Sequence, residues 1–201
     1  MDIAGYLQNV TLLSDQVDKR ELRVILSELL KTLDTAQGDV VEFGCFEGTT
    51  SIHLAHFLAS TNKEFYVYDS FAGLPAKTNQ DMSPAGEQFK EGELLATKKQ
   101  FILNFKKARV PLPHIKKAWF SELNGGDVPS AISFAFLDGD YYDSILDPLK
   151  LIWPNLTPGA VVVVDDYANE ALPGASRAVD EWLKAHPARL RVESSLAIIY
   201  L

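Results

Sequence analysis

Two hydrophobic rhythms alternate along the chain. Leu22, Ile25, Leu26, Leu29, Leu30 and Leu33 recur three and four apart, which predicts a helix over residues 19–36. Val40, Val41 and Phe43 then form a short apolar run, the mark of a buried strand. Helical periodicity returns over 52–58, and Phe65-Tyr66-Val67-Tyr68 reads as a second strand. Leu94, Leu95, Phe101, Ile102 and Phe105 predict a helix over 93–107. Strands follow over 115–120 and 132–137. Residues 142–153 form a helix stopped by Pro154 and the turn Thr157-Pro158-Gly159. Residues 160–164 make the most apolar strand, suited to a central parallel position. A helix over 175–185 precedes two strands, 189–193 and 196–201, split by Ser194-Ser195. The pattern predicts an α/β fold: a doubly wound, mostly parallel, Rossmann-like sheet finished by an antiparallel C-terminal hairpin. Residues 1–18 are mixed in character and take no assignment.

The joints between elements carry the chemistry. The stretch VVEFGCFEGTTS, residues 40–51, passes from strand through Gly44-x-x-x-Gly48 to a helix start. In such sheets ligands bind beyond the carboxyl ends of the strands. The glycine spacing is not the G-x-G-x-x-G of dinucleotide binders, and the acidic Glu42 favours hydroxyls or positive charge over phosphate. The polar stretch 77–92 is long for a routine connection and reads as mobile or as a functional lid, so that 77–107 comprises lid and helix.

Four predicted strand ends carry carboxylates: Glu42, Asp69, Asp138 with Asp140, and Asp165 with Asp166. In a parallel sheet these share one rim and converge on one cleft. Asp69, 27 residues after Glu42 on the neighbouring strand, can accept both hydroxyls of a ribose. Asp138, Asp165 and Asp166 repel one another unless a cation or protons intervene. Oxygen donors at that density suit Mg²⁺, or Mn²⁺ or Ca²⁺.

Other candidates have blander readings. His53 and His56 share a helical face that packs or meets solvent, His114 could reach a cleft, and His186 suits a helix end. Cys45 is a small residue for a tight turn, with redox sensitivity as the alternative. Arg177 is open between contact with substrate or an acidic strand end and a surface salt bridge. Phe89, Phe101 and Phe105 read as packing under the lid.

Length and charge bound the picture. The 201 residues suit one domain, 1–201. A net charge of −8, with 19 basic against 27 acidic residues, argues against a nucleic-acid partner. Lys106, Lys107, Arg109, Lys116 and Lys117 read as a solvated face. The single cysteine rules out an internal disulfide framework. With no signal peptide and no apolar stretch of about 18 residues, no membrane partner is expected, and the expected location is cytoplasmic.

Five motifs in order, E-F-G-x-x-x-G, Y-D-S-F-A-G-L-P, F-L-D-G-D-Y-Y-D-S, P-G-A-V-V-V-V-D-D-Y and G-A-S-R-A-V-D-E-W, resemble the class I S-adenosylmethionine (SAM) methyltransferases. The nearest likeness is to the macrocin O-methyltransferase (TylF-like) family, which methylates sugar hydroxyls of natural products. The resemblance implies a SAM site formed by Glu42, Gly44, Cys45, Gly48 and Thr49, with Asp69 on the ribose and Ser70 and Phe71 beside it. It sets Trp119 and Phe120 at the adenine, Asp138 near the cofactor, and Mg²⁺ (or Mn²⁺) on Asp138, Asp165 and Asp166. Catechol O-methyltransferase has a similar layout with a lysine base, but Tyr141 stands at that position here. Asp138 is then the first choice for the base, with Asp140 and Tyr141 behind it. The acceptor implied is a hydroxylated small molecule, a sugar of a glycoside, with a phenol or catechol as the alternative. A homodimer built through the N-terminal helix or lid is also implied by analogy. A non-catalytic SAM-binding protein is the competing class.

Overall fold

Seven strands form one sheet, in the order β3-β2-β1-β4-β5-β7-β6. The computed structural model describes residues 2–86 and 88–201. Of the lid stretch 77–92, residue 87 lies outside the described residues. The strands are β1 (Asp39–Phe43), β2 (Phe65–Asp69), β3 (His114–Lys117), β4 (Ile132–Leu137), β5 (Leu156–Val164), β6 (Arg189–Glu193) and β7 (Leu196–Tyr200). β1 to β5 pair in parallel, while β7 runs antiparallel to both β5 and β6. The doubly wound sheet and the C-terminal hairpin at one edge are as the sequence pattern predicts.

The central strands are apolar on both faces because helices cover both. Val40, Val67, Phe134, Phe136, Val161 and Val163 face one layer, with α2 (Lys19–Thr35), α3 (Thr49–Leu58) and α4 (Lys98–Ala108). Val41, Phe43, Ala135, Leu137, Val162 and Val164 face the other, with α5 (Tyr142–Ile152) and α6 (Pro173–Ala185). Burying each larger side chain contributes roughly 1.5–3 kcal/mol. Period-two alternation therefore assigns each strand residue to one of two cores. Helix α2 starts where Asp18 and Glu21 form a reciprocal capping box.

Three expectations need correction, one being the turn expected at Thr157-Pro158-Gly159, which lies within β5 (Leu156–Val164). The helix expected over 93–107 begins at Lys98, since Leu94 is left-handed (φ 54°) and the Thr97 side chain caps the Gln100 amide. The strand expected over 115–120 ends at Lys117, because the Trp119 amide donates to Glu122 and turns the chain. Residues 1–18, which take no assignment from the sequence, carry a short helix. α1 (Ile3–Gln8) packs on α2 and sets Tyr6 against His53 and His56 of α3. Among the described residues, no helix is long and apolar enough to cross a membrane.

Candidate functional site

Hydrogen bonding continues one residue beyond the parallel strands. The Gly44 amide donates to Tyr68 O at 2.9 Å, Asp138 to Phe43 O at 2.8 Å and Asp165 to Leu137 O at 2.8 Å. These bonds align the ends of β2, β1, β4 and β5 on one rim. A cavity of about 360 Å³ opens against it. Its lining includes Gly44, Cys45, Asp69, Ser70, Trp119 and Phe120 together with Asp138, Asp140, Tyr141 and Asp166. Leu74 and Phe89 also line it.

Asp69 shapes the glycine loop. Its Oδ2 accepts from the amides of Cys45 (2.8 Å) and Phe46 (3.4 Å), and its Oδ1 from that of Phe71 (2.6 Å). Gly44 (φ 86°) lies so close to the next strand that a Cβ would sit 1.8 Å from Asp138 O. Glycine is required there by space as well as by backbone.

Four residues of the expected cofactor set stand behind the cavity wall rather than on it. Phe71 is buried against Phe101, with ring centroids 6.0 Å apart. Gly48 backs onto the rings of Phe101 and Phe105, and Thr49 Oγ1 is hydrogen-bonded to Ser14 at 2.9 Å. Glu42 is buried, and its pKa is pushed up to about 8 by desolvation. Ser51 softens the rise and Asp69 adds to it. The Ser51 hydroxyl falls short of hydrogen-bond geometry, so Glu42 Oε2 and Ser51 Oγ both end unpaired. An uncompensated buried carboxyl is costly. The Cys45 thiol is driven well above its ordinary pKa by burial and then by Asp69, which keeps it protonated. It behaves as the small turn residue.

Trp119 and Phe120 reach the cavity through a 3-10 turn, Phe120–Glu122. Phe120 meets Phe43 edge-on at 5.5 Å, while Trp119 stays 38% exposed and open to a planar ligand.

The carboxylates beyond β4 and β5 crowd one another. Burial raises Asp138 and Asp140 well above the carboxylate range. Asp165 is the next cause for Asp138 and Asp166 for Asp140. Asp165 is pushed up to about 8 by burial and then by Asp166, although the Asp166 amide and the Ser195 hydroxyl bond to it. Asp140 (φ 61°) and Asp166 (φ 57°) are left-handed. Ser195 also bonds Glu21 Oε1 at 2.6 Å, so the hairpin turn and the start of α2 reach this cluster. Neither residue stood out in the sequence, as each is a lone polar side chain on a distant element. Mutually repelling buried carboxylates have the oxygen-only donor chemistry of a hard divalent cation. As placed, Asp165 does not line the cavity. Among the described residues no group of three or more His, Cys, Asp or Glu side chains is arranged to hold a metal ion.

The remaining candidates fall outside this site. Tyr6 hydrogen-bonds His53 at 2.7 Å and stacks on His56, and burial lowers the His53 pKa to about 4. The pair anchors α1. His114 pairs with Glu64 on the surface, and His186 stacks on Trp182. Lys116 pairs with Asp127. Phe101 and Phe105 are core, whereas Phe89 reaches the cavity. Among the described residues, Arg177 pairs with neither an acidic strand end nor a surface carboxylate. It donates to the carbonyls of Gln80 and Met82 in the 77–92 stretch.

This sheet order, with its rim-side cavity, defines the class I methyltransferase fold. It is shared with the O-methyltransferase NovP (TM-score 0.73, 21% identity, covering 89% of this chain and 77% of that one) and the calicheamicin methyltransferase CalS11 (TM-score 0.73, 19% identity, 98% and 89%). The family model described as Macrocin-O-methyltransferase (TylF) matches residues 18–194, and the chain belongs to that family. It is 30% identical over 147 residues to the 8-demethyl-8-(2,3-dimethoxy-alpha-L-rhamnosyl)-tetracenomycin-C 4'-O-methyltransferase of Streptomyces olivaceus, covering 69% of this chain and 56% of that protein. It is 27% identical over 163 residues to the mycinamicin III 3''-O-methyltransferase of Micromonospora griseorubida, covering 76% and 63%. The match thus spans about three fifths of these relatives' length.

Proposed function

We propose that the chain works as one SAM-dependent O-methyltransferase domain acting on a hydroxyl of a small molecule, a sugar of a natural-product glycoside. The observation that carries this reading is the single cavity joining the glycine loop and Asp69 to the acidic turn Asp138–Asp140. A sulfonium cofactor bound on the glycine loop can thereby face an acceptor oxygen near the acidic turn. Membership of the macrocin O-methyltransferase family, and the sugar-directed names of the two relatives above, support the acceptor class.

In this reading Gly44 and Cys45 let the backbone approach the amino-acid part of the cofactor. Asp69 presents its remaining lone pairs to the ribose, and Trp119 and Phe120 take the adenine. Asp138 receives the acceptor proton, with Asp140 and Tyr141, which line the same cavity, behind it. Leu74, Phe89 and Tyr141 exclude water. Holding nucleophile and methyl carbon in line supplies much of the rate. A divalent cation, when bound by Asp138, Asp165 and Asp166, would lower the pKa of the acceptor hydroxyl.

The test is incubation with methyl-deuterated SAM and a panel of rhamnosylated aglycones, simple phenols and catechol, read by mass spectrometry. Label on a glycoside sugar is the expected result. Label confined to phenol or catechol overturns the acceptor class, and label on nothing, with no S-adenosylhomocysteine binding, overturns the methyltransferase reading.

A further inference from the structure

The lid is fastened at one point to two helices, and the fastening lies beside the catalytic turn. Asp81 is a lid residue, 3% exposed. Its Oδ2 accepts from the amide and hydroxyl of Thr78, both at 2.8 Å, and its Oδ1 accepts from the amide of Tyr142 at 2.7 Å. Tyr142 opens α5, whose own N-cap residue, Tyr141, offers no side-chain cap. A carboxylate 61 residues upstream therefore does the capping. It also suits the positive end of the helix dipole.

Helix α6 completes the joint. A Cβ on Gly174 would lie 2.1 Å from Asp81 Oδ1 and 2.6 Å from Tyr142 N, so only glycine admits the carboxylate. Three residues on, along the same helix face, Arg177 Nη1 donates to Gln80 O at 2.5 Å and Met82 O at 3.3 Å. The Gly174-x-x-Arg177 spacing thus makes room for Asp81 and holds the backbone on either side of it. Farther along, Ser83 Oγ donates to Glu170 O at 2.6 Å, and Lys77 Nζ donates to Gln88 O at 2.8 Å while lying over the Tyr141 ring.

The held amide follows directly on Asp140-Tyr141. Asp140 is a non-glycine residue in a left-handed conformation, which persists only where the surroundings fix it. We propose that Asp81, Gly174 and Arg177 form a latch in which Asp81 is a positioning residue for Asp140 and Tyr141. The closed lid and the cavity-facing turn are then one unit. What the turn does once positioned rests on the methyltransferase reading. The latch itself does not.

The test compares Arg177→Ala, Arg177→Lys and Asp81→Asn with the parent protein by hydrogen exchange, alone and with S-adenosylhomocysteine. Peptides covering 77–86, 140–146 and, as an internal control, β1 and β4 are followed. Charge-assisted bonds of this kind predict about tenfold faster exchange in both the lid and the 140–146 turn for Arg177→Ala. The control strands stay unchanged, Arg177→Lys recovers part of the protection, and Asp81→Asn exposes the turn from the other side. Faster exchange of the lid alone overturns the positioning role, and so does uniform acceleration that includes β1 and β4. If S-adenosylhomocysteine binds none of the proteins, the methyltransferase reading fails while the exchange comparison still decides the latch.

Discussion

Gly44 and Asp138 meet backbone to backbone: a side chain on Gly44 would begin 1.8 Å from the Asp138 carbonyl oxygen. Neither partner can retreat, since the flanking Asp138 amide is bonded to Phe43 O. Gly44→Ala should therefore cost well over the ~1–2 kcal/mol of a left-handed non-glycine residue. It should yield protein that is insoluble or blind to S-adenosylhomocysteine. Gly48→Ala shares the positive φ, but its Cβ would first meet the Phe101 and Phe105 rings, at 3.0 and 3.4 Å. Rings can shift, so this variant should fold with a modestly lower urea midpoint. Equal losses in the two variants would contradict the contact.

Glu42 should give the ligand-free protein a pH-dependent stability. Its folded-state pKa of about 8 lies above the ordinary 4.5. Its contribution is thus fully present below about 4.5 and is lost as pH rises through about 8. Denaturant midpoints of the parent protein should fall across that window relative to Glu42→Gln, whose neutral amide does not titrate. Parallel curves for the two proteins would mean that Glu42 is solvated.

Strands and rim were legible in the sequence because apolar runs end visibly at acidic residues. Asp138 and Asp165 each follow the last residue of a strand, a position that a pattern can show. Where the chain turned on a local polar bond, the pattern misled. Leu94 and Leu95 keep helical spacing with Phe101, yet Leu94 packs in the lid cluster and Leu95 is 56% exposed. Asp81 was invisible because a lone carboxylate in a polar stretch gives no sign of a helix end 61 residues away. Tyr6 was missed likewise, since its partners lie on α3.

Trp119 tests the adenine assignment. Base–aromatic stacking is worth ~1–3 kcal/mol, so Trp119→Ala should weaken S-adenosylhomocysteine binding roughly 10- to 100-fold in calorimetry. Trp119→Phe should retain most of the affinity. An unchanged affinity in Trp119→Ala would move the adenine elsewhere in the cavity.

The acidic cluster makes its own prediction. Mg²⁺ added to the S-adenosylhomocysteine complex should raise Tm, and EDTA should reverse the rise, because a cation relieves the repulsion among Asp138, Asp165 and Asp166. Asp165→Ala should remove that increment and abolish methyl transfer while leaving S-adenosylhomocysteine affinity nearly intact. Loss of cofactor affinity in step would make Asp165 a structural residue instead.

Asp69 spends its carboxylate on the amides of Cys45, Phe46 and Phe71 before any ligand arrives. The contour of the glycine loop is thus settled when the chain folds, and the entropy of ordering it is lost at that stage. A cofactor bound there, as proposed, would meet a loop already held in shape, and its encounter would need little rearrangement. In the proposed reading, molecules of the wrong outline would be refused there by shape alone, and adaptation would be left to the rest of the cavity.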